Sequence, residues 1–412
     1  MTLAQLDLEQ AWAGNVPSRW RWSRNKELLA ESLSVSTEGT EELLSVSHLT
    51  GITPRSEKNV TMTAAESLDG YRLVDAGDLV INTMWAWMGA LGVSKQAGIV
   101  SPAYGVYRPR PNAAFCPGFY DYLYRSTPYV MEMTRLSRGI WSSRLRIYPD
   151  VFLSMAIPVP PLEEQRAIAD YLDRETARID TLIEEQQRLI EMLQERRASA
   201  VRAVLLRGLD SDAPLRASGS ELLGSIPSAW NMVPTRHLCT ITTGDEDSGN
   251  ATEDGAYPFF VRGREVLRSN SYAFDGEAVM TPGDGQGGTG KVFHYFDGKF
   301  QAHQRVYVFT DFHGIAGRYF YYYLSTFLRP IALAGSNTVT MESLRRPLLA
   351  GFRVAVPPLD EQARILGYLD EQNAKIDQLI SETERFIKLS QERRAALITA
   401  AVTGQIDVRE AA

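Results

Sequence analysis

The chain has 412 residues, 44% of them hydrophobic and 23% charged, an ordinary globular mixture long enough for two or three domains at about 150 residues each. No run of 18 apolar residues occurs, which excludes a helical membrane span, and two cysteines, Cys116 and Cys239, make neither a disulfide framework nor a metal cluster. The net charge of −7 on its face argues against nucleic-acid binding, whose phosphate contacts come chiefly from Lys and Arg, but the charge is segregated. Residues 107–147 carry seven arginines against two acids, and residues 291–349 carry seven basic residues against three acids. The acids gather in 163–195 and 245–254. The first ten residues lack the basic and apolar blocks of a secretory signal, so a soluble, cytoplasmic chain is expected.

In chain order, a short head, GNVPSRW at 14–20, opens a variable region. Within it YRLVDAGDLVIN (71–82) reads as strand, and PGFYDYLYRSTPYVMEMTRL (117–136) as helix entered from Pro117. The irregular polar stretch GIWSSRLRIYPD (139–150) follows. Next comes VPPLEEQRAIADYLDRETARIDTLIEEQQRLIEMLQERRA, starting at Val159. A polar linker, 210–225, leads to a second head, GSIPSAW at 224–230. The second variable region contains the strands KVFHYF (291–296) and RVYVFT (305–310), then the helical stretch 313–335 and the polar stretch GSNTVTMESLRR (335–346). VPPLDEQARILGYLDEQNAKIDQLISETERFIKLSQERRA then starts at Val356 and matches the first long segment at 23 of 40 positions without a gap. The chain is a tandem repeat.

Each repeated segment carries the signals of a long helix. A Pro-Pro pair stands at its start, where a missing N–H costs nothing. Acids fill the first turn, where the helix dipole favours them. The stripe Ile168, Leu172, Ile179, Leu182, Leu189, Leu193 and its counterpart Ile365, Leu369, Ile376, Leu379, Phe386 have heptad spacing, the seam of a helix pair. Forty to 45 residues make a rod of about 60–68 Å, too long for one small domain to bury. The two helices are therefore expected to pair antiparallel, with a globular unit at each end and a pseudo-twofold repeat.

Catalytic motifs do not stand up. Residues 285–291 fit GxxxxGK, but Val292 replaces the Ser or Thr that binds magnesium, and a strand pattern follows where a phosphate loop opens a helix. A glycine-rich turn whose amides and Lys291 lie along a phosphate backbone is the better reading. Ser101-Pro-Ala-Tyr104 lacks the polar first residue and second proline of an adenine-methyltransferase box, and reads as a turn. His48, His237, His294, His303 and His313 have no metal-ligand spacing.

What stays is a binding signature. Arg135, Arg138, Ser142, Ser143 and Arg144 surround Trp141 late in the first region, and Asn337, Thr338, Thr340, Arg345 and Arg346 hold the corresponding place in the second. Arginine reads guanine edges bidentately, asparagine reads adenine, and threonine methyls meet thymine methyls. A solvated polar loop has the same composition. Lys291, His303, Gln304 and Arg305 complete the candidate DNA-contact set, the last three facing outward before their strand. Trp85, Trp87 and Met88 read as core or platform.

The repeated PPLEEQ and PPLDEQ lead-ins, each followed by a heptad helix closing in QERRA, and the tail AVTGQIDV resemble the specificity subunit of Type I restriction–modification systems, along essentially the whole chain. The resemblance implies an α+β fold of two mixed α/β target-recognition domains separated by two long helices in an antiparallel coiled coil. The divisions are then 1–157 for the first recognition domain, 158–208 for the first helix, 209–355 for linker and second recognition domain, and 356–412 for the second helix and tail. It implies a non-catalytic subunit that reads a bipartite double-stranded DNA site and holds two methyltransferase subunits, with two restriction subunits as possible additions. S-adenosylmethionine then belongs to the methyltransferase, and ATP and Mg to the restriction subunit. The competing expectations are a coiled-coil adaptor with two protein-binding ends, and a nucleotide hydrolase using the glycine loop.

Overall fold

The structure, a computed structural model, describes residues 11–57, 67–139, 145–284, 290–334 and 343–409. It divides into two compact units, Met1–Gln186 with Arg385–Ala412, and Gln187–Glu384. Each unit combines one variable region with the beginning of one long helix and the end of the other.

In the first unit, strand Arg21–Arg24 leaves the head and pairs antiparallel with Ala156–Val159, the strand that feeds the first long helix. This pair ties the two ends of the variable region together. Between them lies a four-stranded antiparallel sheet in the order Leu29–Glu31, Gly105–Pro109, Leu79–Ile81, Leu91–Val93. Its strands alternate faces, as side chains two apart must. Leu79 and Ile81 pack on Phe119, Tyr120 and Leu123, whereas Val80 and Val106 join Leu44, Val46 and Val100 on the other side. The stretch 117–136 is two helices, Pro117–Arg125 and Thr127–Leu136, rather than one. Ser126 between them is extended because two residues later Pro128 withholds an amide and crowds the preceding turn.

The second unit repeats the tie: Asn231–Pro234 pairs antiparallel with Arg353–Val356. Its sheet is larger, six strands in the order Thr240–Thr243, Val306–Thr310, Phe274–Pro282, His294–Ala302, Tyr257–Phe260, Val266–Ser269. All neighbours are antiparallel except Tyr257–Phe260 beside His294–Ala302. One face carries Phe260, Ala278, Met280, Phe300 and Val308. The other turns Val279 and Phe309 to Tyr319, Phe320 and Tyr323 of helix Gly317–Ala334. The strand expected from Lys291 begins at His294.

The long helices are Leu162–Arg207 and Leu359–Val402, and Gly367 does not interrupt the second. In the first unit Ile168 and Leu172, near the start of one, share a core with Ile398, Ala401 and Val402 at the end of the other. In the second unit Val204 and Leu205, at the end of the first helix, share a core with Ile365 and Leu369 at the start of the second. The helices are antiparallel. Each stops at a glycine in the left-handed region, Gly208 at φ +72° and Gly404 at φ +72°, the usual helix-ending conformation. A Cβ at Gly208 would run into Glu361 and press on Trp230, and one at Gly404 would run into Pro17 and press on Trp20. The buried tryptophan of each head thus seats itself on the glycine that ends a helix.

Candidate nucleic-acid interface

The motif shared by the two helices has a structural purpose that its spelling did not reveal. Gln165 is fully buried; its Oε1 accepts from the Cys116 amide at 2.8 Å, and its Nε2 donates to the carbonyls of Ala114 at 3.0 Å and Pro160 at 2.9 Å. Gln362 does the same, accepting from the Ala316 amide at 2.8 Å and donating to Gly314 at 3.1 Å and Pro357 at 2.9 Å. A side-chain amide can accept from one N–H and donate to two carbonyls at once, and in each clamp the bond to the proline carbonyl is buried. Each glutamine therefore fixes the entry to its unit's main helix against the long helix. The preceding acid anchors the head: Glu164 takes Arg19 Nε at 3.1 Å, and Glu361 takes Trp230 Nε1 at 3.0 Å.

On this support the second unit presents a polar edge where four loops meet. Arg305 faces Asp284 at 3.3 Å, and Arg262 approaches the same carboxylate at 3.9 Å. Gln304 Nε2 donates to Asp247 at 3.3 Å. The Gly249 amide, first among several partners, holds the Asp247 carboxyl below its ordinary range, so it is ionised at neutral pH. Gln304 and Arg305 are exposed. His303, expected to face outward, is instead only 3% exposed. Its Nδ1 accepts from the Arg305 amide at 3.0 Å, and burial, above all, pushes the imidazole below its usual pKa. It is a neutral brace that aims the two residues after it.

The other candidates divide. Arg135 is bound twice by Glu132, at 2.7 and 2.6 Å, and its guanidinium sits at the surface. Arg138 forms a backbone bridge with Arg146. Arg346 donates to the Ile241 carbonyl at 2.8 Å, which makes it a tie between loop and sheet, while Arg345 precedes helix Arg346–Gly351 as an exposed residue. Lys291 is exposed beside a cavity. Ser142, Ser143, Arg144, Asn337, Thr338 and Thr340 lie outside the described residues. Trp85 and Met88 are exposed, with Trp85 stacked on Trp87 at 6.4 Å.

Along the helices Ile168, Leu172, Leu193, Ile365, Leu369 and Ile376 are buried, and Ile179 and Leu182 are half-buried. Leu189, Leu379 and Phe386 are exposed, Leu379 by 48% and Phe386 by 43%.

Residues 227–385 match the family model of the Type I restriction modification DNA specificity domain. That stretch carries the specificity domain of Type I restriction–modification proteins. The chain is 31% identical over 183 residues to the Type I restriction enzyme EcoDI specificity subunit of Escherichia coli. That stretch covers 44% of this chain and 40% of the relative, so less than half of the relative's length is matched. The likeness in fold extends over more of the chain. A chain solved in work on complex assembly and conformational transition of the type I R-M system superimposes with TM-score 0.72 at 17% identity, covering 95% of this chain and 100% of that one. The HsdS subunit from Thermoanaerobacter tengcongensis gives TM-score 0.53 at 17% identity, over 95% and 98% of the two chains.

Proposed function

We propose that this chain is the DNA-reading subunit of a Type I restriction–modification complex, and that its two variable regions read the two halves of a bipartite duplex target. The observation that carries this is the duplication. Two differently built sheets stand on the same glutamine clamp, the arrangement needed to vary two specificities on one constant frame. Gln304 and Arg305, held by acids and exposed, supply the donor and acceptor chemistry of base-edge reading.

In this reading the chain performs no catalysis. Methylation belongs to two partner subunits that bring S-adenosylmethionine, and translocation and cleavage belong to ATP- and Mg-dependent restriction subunits where these join. The helices set the gap between half-sites, and their exposed apolar residues receive the methyltransferase. Leu189, Met192 and Leu379 support this in one unit, Phe386 and Leu389 in the other. The place of work is the cytoplasm, where the host DNA lies. Gel shift of the chain with its methyltransferase partner on randomised duplexes tests the proposal: selection of a split motif is expected, and binding without sequence preference would contradict it.

A further inference from the structure

Beside the polar edge, the second unit holds a cavity of about 620 Å³ lined by Arg264, Lys291, His294, Tyr321, Ser325 and Arg329, among others, and none of the described residues in its wall is acidic. Several arginines of this unit are matched by carboxylates: Arg262 and Arg305 face Asp284, and Arg318 pairs with Asp370. Among the described residues, Arg264, Lys291 and Arg329 have no such partner. Arg329 is also half-buried, and its Nε is a buried donor without a hydrogen-bond acceptor. A buried cationic donor left unpaired is costly, and an anionic oxygen entering the cavity would relieve it. His294 Nε2 bonds the Gly263 carbonyl at 3.1 Å, which holds the loop carrying Arg264 against the cavity wall.

We infer that this cavity is a phosphate-binding site and that its ligand is a backbone phosphate of the DNA target. The inference rests on the proposed role of this unit in reading DNA. Phosphate contacts fix register while base contacts specify sequence, and the unit separates the two sets of groups. Arg305 and Gln304 are oriented by acids, as base readers need to be. Among the described residues no carboxylate pairs with the cations of the cavity, as suits phosphate anchors. Arg262 and Arg264 lie two residues apart on one loop, so a duplex resting on the first reaches the second.

The test uses the complete complex with its methyltransferase partner, comparing wild type with Lys291→Gln, Arg264→Ala and Arg305→Ala. Lys291 and Arg264 are exposed, so their replacement leaves the fold intact, which a thermal melt verifies. Affinity is measured on cognate and base-substituted duplexes at several salt concentrations. Lys291→Gln and Arg264→Ala are expected to weaken all duplexes by the same factor and to reduce the slope of log K against log[salt] by about 1 each. Arg305→Ala is expected to act at one base position only. Unchanged affinity and slope in the cavity variants would overturn the inference, as would a loss confined to one base. Inorganic phosphate or ATP bound by the wild type and lost in Lys291→Gln, with DNA affinity unaltered, would assign the cavity to a free phosphate or a nucleotide respectively and overturn it too. A wild-type complex without cognate preference would overturn the recognition role itself, and the inference with it.

Discussion

Asp180 of the first long helix holds Arg394 of the second in a two-pronged ion pair, at 2.8 and 3.1 Å. The repeat maps Asp180 onto Asp377 and Arg197 onto Arg394, and in the other unit Arg197 pairs with Asp377. One ion pair is thus made twice with the roles of the helices exchanged, as an antiparallel pair of equivalent helices requires. Both partners of the first pair are about half exposed, so the energy is small, about 0–1 kcal/mol; the pair's effect is on register. Exchanging the charges as Asp180→Arg with Arg394→Asp is expected to restore the stability that either single change lowers, measured by a double-mutant cycle in urea.

The glutamine clamps have larger consequences. Gln362→Ala strips the part-buried Ala316 amide and the buried Pro357 carbonyl of their partner, and is expected to cost about 1–3 kcal/mol. Gln362→Glu, which has no donor for the carbonyls, is expected to cost more. Hydrogen exchange should localise the damage at the Ala316 amide, and Gln165→Ala should do the same at the Cys116 amide. Exchange that accelerates uniformly over the unit would contradict a local clamp.

Acid is expected to erase the contribution of Arg19. Burial opposes ionisation of Glu164, but Arg19 overcomes it and holds the carboxyl below the ordinary 4.5. Asp407, 3.6 Å from Arg19, is held low as well, first by its Arg409 neighbour. A carboxyl with a depressed folded-state pKa stabilises above its unfolded value and ceases to do so as pH falls through the folded value. Arg19→Leu should therefore lower Tm at pH 7 and have progressively less effect below pH 4.5. A difference in Tm that stays constant down to acid pH would show that Arg19 acts by packing alone.

Much of this frame was legible in the sequence. The gap-free repeat, the Pro-Pro starts and the acidic first turns located both long helices. The seam was harder to read, because part of it is polar. Thr176, Thr383 and Ser390 are buried along it, and the two threonines bond back to carbonyls four residues earlier at 2.6 and 2.7 Å. An apolar count passes over such residues and places Leu379 and Phe386, which are exposed, in the stripe instead. The clamp was invisible for a different reason: its partners at Ala114, Cys116, Gly314 and Ala316 are backbone atoms about 50 residues away, and backbone leaves no mark in composition. His303 failed as an outward-facing residue because strand alternation does not extend into the turn before Val306.

The exposed apolar residues of the helices give a partner test. Leu379→Asp with Phe386→Asp is expected to weaken methyltransferase binding at least about tenfold, or ~1.4 kcal/mol, while Tm of the isolated chain stays within about 2 °C, since neither side chain is buried. Undiminished assembly, measured by calorimetry, would place the partner elsewhere.

The central claim is that each variable region reads its own half of one DNA target. The most direct measurement is the methylome of a host without a Type I system, expressing this chain with its methyltransferase partner, and again with residues 14–157 exchanged for those of a relative. The expected result is a bipartite motif with a gap of fixed length, of which the exchange alters one half and leaves the other half intact. A continuous motif, or an exchange that alters both halves or neither, would contradict it.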